Sequence, residues 1–432
     1  MKKETFTVSI EKNKTSSETS LSWALIGGHA LECFDNTLYG FFAVLLAPLF
    51  FPASSSAGQI LASYGAFSAG FVARPLGAII FGSLGDKIGR KTPLLYSLGL
   101  VGIPTIGIGL LPSYETIGVL SPIFLIIFRL SQGLFMGGEY SGVNIYLLEG
   151  PYRQVLGRKT GFLIASGIMG ALLATASGAL VTMEIMPKYS WRIPFLLGGI
   201  FAFVICFYRK QIAETEDFIK DVVITRIKPA PWKEVFQNYK GKITASCLVA
   251  GMMIMPLYLA TIFANRLFKE IGYTQSQSML LNMMAMFLDA IFVLYFGRLA
   301  DKIGFKKQLI IGSLTAVLIA FPAFVCVLPT YINTFSIYAF IFLLTIPGCI
   351  VTGCSMPYIG YLFPTTCRYT GTAISVTIGH AIFGGTTPLI ASFLTDYFGT
   401  KLAPAFWLVF LASLTAITIR HTKSFGSSER TC

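Results

Sequence analysis

The sequence predicts an all-α membrane protein, with twelve transmembrane helices arranged as two six-helix bundles. Three observations predict it. Of the 432 residues, 54% are hydrophobic and only 12% are charged, whereas soluble domains are about a quarter charged. Twelve stretches reach the roughly 20 mainly apolar residues that a membrane crossing requires. A charged decapeptide is also written twice, as GSLGDKIGRK at 82–91 and GRLADKIGFK at 297–306, with seven of ten positions identical at an offset of 215 residues.

The elements follow in order. Residues 1–20 are polar and lack an apolar core with a small-residue cleavage site, so a short cytoplasmic tail is expected rather than a signal peptide. Spans 1 to 6 are placed at 21–49, 59–83, 93–111, 118–148, 158–183 and 191–209, which makes 21–209 the first bundle. A polar loop at 210–241 separates it from spans 7 to 12, placed at 242–267, 276–297, 308–328, 335–360, 370–395 and 402–420. These form a second bundle over 242–420, followed by a cytoplasmic tail at 421–432.

The formal charge of +13 follows topology and does not indicate a nucleic-acid partner. With both termini and the middle loop in the cytoplasm, 26 of the 33 Lys and Arg residues lie inside, five lie outside and two lie within spans. That distribution obeys the positive-inside rule. The middle loop carries Arg209, Lys210, Lys220, Arg226, Lys228, Lys233, Lys240 and Lys242 and reads as a solvated linker that sets topology. The eight cysteines are scattered without a CxxC pair and read as small hydrophobes, so neither disulfide nor metal is expected.

The doubled decapeptide joins spans 2 and 3 in one half and spans 8 and 9 in the other. Such internal repetition marks a transporter of two related bundles with substrate near the midplane at their interface. An ionisable side chain at bilayer depth costs about 2.5–3.5 kcal/mol on insertion scales, so each one raises a functional question. Span 1 holds His29, Glu32, Asn36 and Tyr39 at helical spacing, with Asp35 beside them near mid-membrane. Arg74 lies too deep in span 2 to snorkel easily. In span 4, Arg129, Gln132 and Glu139 share one helical face, Glu149 lies at the inner end, and Gly133, Gly137 and Gly138 allow close helix approach. Asp289 in span 8 and His380 in span 11 are the second-half cases. Arg129 is expected to pair with Glu32 or Asp35, a carboxylate beside an arginine being suited to proton exchange. No catalytic constellation, P-loop or cofactor site is present, and the longest polar loop is too short for a nucleotide-binding domain. Transport driven by an ion gradient, with protons as the ion, is therefore expected.

These residues resemble the metabolite:proton symporter family of the major facilitator superfamily, nearly from end to end. ECFDNTLYGFFA is similar to the family's first-helix motif and FVARPLGAIIFGSLGDKIGRK to its second-helix and loop motif. RLSQGLFMGGEYSG resembles the fourth-helix motif, WRIPFLLGG the start of helix 6, and RKQIAETEDF the segment after it. YLFPTTCRYTGTAISVTIGHAIFGGTTP resembles the stretch from helix 10 into helix 11. The resemblance implies proton-coupled uptake of a small organic solute by alternating access, in a bacterial inner membrane, by a protein functional as a monomer. Members carry proline and betaine, 2-oxoglutarate, citrate, shikimate and related acids.

By motif position Arg129 corresponds to the superfamily arginine linked to proton coupling, and Glu32 and Asp35 fall where the family keeps polar residues; with their depth in the membrane, these three are the proton-coupling candidates. Together with depth in the membrane the resemblance makes Tyr39, Arg74, Gln132, Glu139, Asp289, Thr377 and His380 substrate-binding candidates. A conformational latch is assigned to Gly82, Asp86, Gly89, Arg90 and Lys91, with Asp301 as its echo in the second half. Asp86 is expected to meet a helix N-terminus or a neighbouring arginine. Three positions depart from the family pattern: Tyr361 replaces a glutamate, Thr377 an asparagine, and Phe305 the arginine matched by Arg90. The last departure makes the first-half loop the stronger latch. A facilitator or antiporter of an organic acid without net proton symport is the alternative.

Overall fold

Hydrocarbon offers the backbone no hydrogen-bond partner, so each apolar stretch must satisfy its own amides, and helices result. The computed structural model describes the backbone of residues 2–52, 56–150, 153–181, 183, 185–224, 230–331 and 333–422, all helical or irregular, with no strand among them. Eleven helices within the described residues are long and apolar enough to cross a membrane. The remaining crossing, span 1, lies in the helix Lys2–Phe50. The tail beyond Thr422, with Arg226 and Lys228 of the middle loop, falls outside the described residues.

The first bundle continues with span 2 (Ser56–Ile88), span 3 (Lys91–Leu110), span 4 (Leu120–Met136 and Glu139–Glu149), span 5 (Leu156–Val181) and span 6 (Arg192–Arg209). The second comprises span 7 (Lys240–Tyr258 continuing to Glu270), span 8 (Gln275–Ile303), span 9 (Phe305–Val325), span 10 (Thr334–Leu362), span 11 (Arg368–Gly379 and Thr387–Phe398) and span 12 (Ala403–His421). Local chemistry sets several ends. Thr274 and Gln277 form a capping box that starts span 8, and Asn333 with Ser336 does the same for span 10, each satisfying amides that have no partner within the helix. Gly89 (φ +108°) and Gly304 (φ +88°) occupy the same position of the two decapeptides and end spans 2 and 8 in a conformation that side chains resist. Spans 7 and 11 each contain a π-helical segment, Leu259–Phe263 and His380–Gly385.

The two halves meet along two seams, span 2 against span 11 and span 5 against span 8. Glycine makes both close. A Cβ at Gly82 would lie 2.8 Å from the Thr370 Cα, and one at Gly161 would lie 2.9 Å from the Val293 carbonyl. Within the first bundle, Gly133 and Gly137 of span 4 rest on the Gly70 and Arg74 carbonyls of span 2. Small residues thus let these backbones approach as the spacing of span 4 predicts.

The middle loop departs from the expected solvated linker. It folds into the helices Glu216–Ile224 and Pro231–Asn238, buries Ile212 and Val235, and packs under spans 2 and 11. Burial of these apolar side chains offsets the entropy of ordering the chain.

Candidate functional site

Deep in the first bundle a polar relay joins three spans. The Asp35 Oδ1 of span 1 accepts from Thr105 Oγ1 of span 3 at 2.9 Å, and Oδ2 accepts from Gln132 Nε2 of span 4 at 2.7 Å. Gln132 Oε1 in turn accepts from Arg129 Nη1 at 2.8 Å. The expected direct pairing of Arg129 with Glu32 or Asp35 is therefore replaced by a bridge through Gln132. The gap is filled by one amide, which can donate to the carboxylate and accept from the guanidinium at once. The Arg129 guanidinium lies 4.3 Å over the Tyr39 ring and 5.4 Å from that of Phe67, and these faces stabilise a cation that has few hydrogen bonds. Its Nε has no hydrogen-bond partner among the described residues.

Glu32 sits one turn from Asp35, with Oε2 at 3.4 Å from His29 Nδ1, and the His29 ring stacks on Tyr140 at 4.9 Å. A narrow crevice between spans 1, 3, 4 and 6 is lined in part by Glu32, Asp35, Thr105 and Glu139. Helical periodicity puts Glu139 on the face of Arg129 and Gln132, and it lines the same space as Asp35, without an ion pair to Arg129 among the described residues. Glu139 pairs instead with Arg209 of span 6 at 2.6 Å and accepts from Ser97 at 2.5 Å. Arg209, counted by sequence among the topology charges, is wholly buried and also donates to the Ala24 and Leu94 carbonyls.

Arg74 faces the centre. Its Nη2 donates to Asn36 Oδ1 at 2.7 Å, and its guanidinium lies 4.2 Å over Phe71. It also lies within 3.9 Å of the Met136 sulfur of span 4. The His380 Nε2 is buried without a hydrogen-bond partner among the described residues. Thr377 lies half-buried one turn earlier. Asp289 is not part of this group: its Oδ1 accepts from Cys349 of span 10 at 2.9 Å.

The face that carries the decapeptides is closed. The Asp86 carboxylate accepts from the Tyr369 amide at 3.1 Å and the Thr370 amide at 2.9 Å, in the first turn of span 11. Those amides have no partner within their own helix, and the helix dipole favours an anion there. Arg90 braces the contact with 2.8 Å to Asp86, two bonds of 2.9 Å to Glu149 and one of 2.8 Å to the Thr365 carbonyl. Burial alone would lower the Arg90 pKa, but Glu149 and Asp86 outweigh it and hold the guanidinium above its ordinary value. Glu149 further accepts from Arg368 at 3.0 Å and from Thr215 at 2.9 Å.

Gly82 lies against Thr370 and Gly89 against Glu214. Lys91 joins through its backbone, its amide donating to Glu214 at 3.2 Å beside the Arg90 amide at 2.9 Å. In the second half Asp301 accepts from the Gly157 amide at 2.6 Å and the Arg158 amide at 2.8 Å, in the first turn of span 5. The repeat thus places equivalent carboxylates on equivalent helix ends across both seams. Glu214, Thr215 and Arg368 were not singled out from the sequence. All three lie within RKQIAETEDF or YLFPTTCRYTG, so the motifs contained the signal but not the partners.

Comparison with known proteins follows this architecture. Residues 21–222 match the family described as sugar (and other) transporter, and 246–422 match the major facilitator superfamily. The chain is 31% identical to the citrate-proton symporter of Klebsiella pneumoniae over 89% of this chain and 87% of that one. It is 30% identical to the proline/betaine transporter of Escherichia coli K12 over 91% and 82% respectively. It is also 30% identical to a glycine betaine/proline/ectoine/pipecolic acid transporter of Dickeya dadantii, over 90% and 80%. Among solved structures, a proton:xylose symporter bound to 6-bromo-6-deoxy-D-glucose superposes with a TM-score of 0.76 at 15% identity, covering 95% of this chain and 97% of that one. Fold and site define a multi-pass membrane transporter rather than an enzyme. The chain belongs to the metabolite:proton symporter family of the major facilitator superfamily.

Proposed function

We propose that this protein takes up a small organic solute, a carboxylate or a zwitterion, together with protons across a bacterial cytoplasmic membrane by alternating access. The observation that carries this reading is the Asp35–Gln132–Arg129 relay, buried at mid-span. A carboxylate so placed is neutralised by a proton at modest cost, and Arg129 keeps its ionised form accessible. Arg74 with Asn36 in the first half and His380 in the second are the groups a carboxylate-bearing solute would bridge. The curated relatives carry citrate or proline and betaine, which supports the solute class without choosing within it.

In this reading both termini and the decapeptide face lie in the cytoplasm, 21–209 and 242–420 move as the two bundles, and a single chain suffices. The closed contact of Asp86, Arg90 and Glu149 on span 11, with Asp301 on span 5, seals the inner face. Proton loading of Asp35 and solute binding at Arg74 then permit the halves to rock, and span 11 leaves Asp86. Glu32 tunes Asp35 from one turn away.

The test is transport in proteoliposomes with proline, glycine betaine, 2-oxoglutarate, citrate, succinate and shikimate as probes. At least one should alkalinise the external medium as it enters, and Asp35→Asn should abolish accumulation while counterflow persists. Accumulation by Asp35→Asn with normal proton dependence would remove Asp35 from the mechanism. Uptake without proton movement would leave a facilitator.

A further inference from the structure

Asp289 stands at the centre of span 8, 14 residues from Gln275 and 14 from Ile303, hence about 21 Å from either end at 1.5 Å per residue. The 215-residue offset that superposes the decapeptides sets it against Arg74. The two repeats therefore carry opposite charges at one position. Their surroundings differ. Arg74 is half-buried and bonds to Asn36 of span 1, whereas Asp289 is 7% exposed and turns into span 10, where the buried Cys349 thiol donates to its Oδ1 at 2.9 Å.

Among the described residues, the elements packed on span 8, including the short helix Arg153–Val155, carry their charged side chains near their ends and not at the level of Asp289. Span 10 contains no Asp, Glu, Lys or Arg, and its Cys349 thiol is the side chain hydrogen-bonded to Asp289. Span 5 contributes only Arg158 and Lys159, span 9 only Lys306 and Lys307, each at the decapeptide face. Span 7 keeps Lys240, Lys242, Arg266, Lys269 and Glu270 at its ends. An ionised carboxylate with one weak thiol donor in so apolar a setting is uncompensated, and the neutral acid is the form that a single donor can satisfy.

We propose that Asp289 is a second proton-binding site, in the second bundle, loaded while the decapeptide face is closed and emptied as the halves rock. It is separate from Asp35 and rests only on the reading that this chain alternates between two states. The step is a simple dissociation. The proton on Oδ2 passes to water, leaves a carboxylate, and returns from water on the other side of the membrane.

The position suits such coupling. Two turns further along span 8, Gly297 meets Gly157 of span 5 across the seam between the halves, and a Cβ at Gly353 of span 10 would lie 2.8 Å from the Gly297 amide. Asp301 lies one turn beyond, on the first turn of span 5. Movement at this seam displaces the helix that bears Asp289 relative to span 5 of the other half.

Infrared spectroscopy of the purified protein in lipid nanodiscs, without any solute, tests the proposal whatever the solute proves to be. The wild type should show a carboxylic-acid carbonyl band that is lost in Asp289→Asn and shifted, not lost, in Cys349→Ala. The S–H stretch missing from Cys349→Ala should move in Asp289→Asn. An acid band unchanged in Asp289→Asn, or unmoved in Cys349→Ala, overturns the assignment, and the second variant decides alone if the first does not fold. For coupling, alkylation of Cys367, buried beneath the closed face, should rise with pH more steeply in wild type than in Asp289→Asn. Superimposable pH profiles would overturn the link to the conformational change.

Discussion

Replacing Asp86 with asparagine isolates the latch from the rest of the fold. In the closed state its carboxylate accepts three bonds, from the Tyr369 and Thr370 amides and from Arg90. Asparagine retains one acceptor oxygen and turns an NH₂ toward donors, so at least one buried donor loses its partner. A hydrogen bond to a charged group contributes about 1.5–3 kcal/mol, and a buried unsatisfied donor costs about 1–3 kcal/mol. Arg90 keeps Glu149, so a net loss of about 3 kcal/mol is expected, borne by the closed state alone because opening hydrates the same groups. At about 1.4 kcal/mol per tenfold, the open fraction rises about 100-fold. Asp301→Asn loses one of two bonds at a half-buried carboxylate that has no arginine, since Phe305 occupies that position. About 1.4 kcal/mol and a tenfold rise follow.

The readout is maleimide labelling of Cys367 in a background where the other cysteines are replaced. Span 2 and the middle-loop helices cover this thiol while the latch is shut. Equal acceleration by the two variants, or none by Asp86→Asn in correctly inserted protein, would refute the asymmetry and return both loops to topology signals.

Two further outcomes test packing and electrostatics. Glu139→Gln leaves the wholly buried Arg209 cation without its ion-pair partner, a loss of about 3–5 kcal/mol for breaking a buried pair. Thermal unfolding should move down clearly, and adding Arg209→Met should recover most of it; an unchanged Tm in the single variant would deny the pair its structural role. Gly133→Val drives a side chain onto the Gly70 carbonyl, whereas Gly65→Val in span 2 enters open space. Overpacking of about 1–3 kcal/mol or more should lower the stability of the first variant only, as detergent-stability assays would register.

The site was legible in its parts more than in its connections. Intramembrane Asp35, Arg129 and Gln132 stand out because charge at that depth is costly, but an ion pair was the natural expectation and Gln132 intervenes. Glu139 illustrates the limit of periodicity. Its face of span 4 is legible in the sequence, but its partner, Arg209 of span 6, is not. The middle loop reads as a charged linker because its apolar residues are few, yet Glu214 and Thr215 meet Arg90, Lys91 and Glu149 over more than sixty positions of chain.

Sequence by itself determined what depends on neighbouring residues: the spans, because lipid demands an apolar helix of a given length within one stretch of chain, the two-fold repeat, and the glycine that stops each decapeptide. Tertiary structure alone decided which ionisable groups meet. Asp86 on the span 11 amides, Asp301 on those of span 5, Arg209 on Glu139 and Asp289 on the Cys349 thiol join residues 60 to 284 positions apart. Such pairings depend on how helices cross and rotate, and hydropathy carries no record of either.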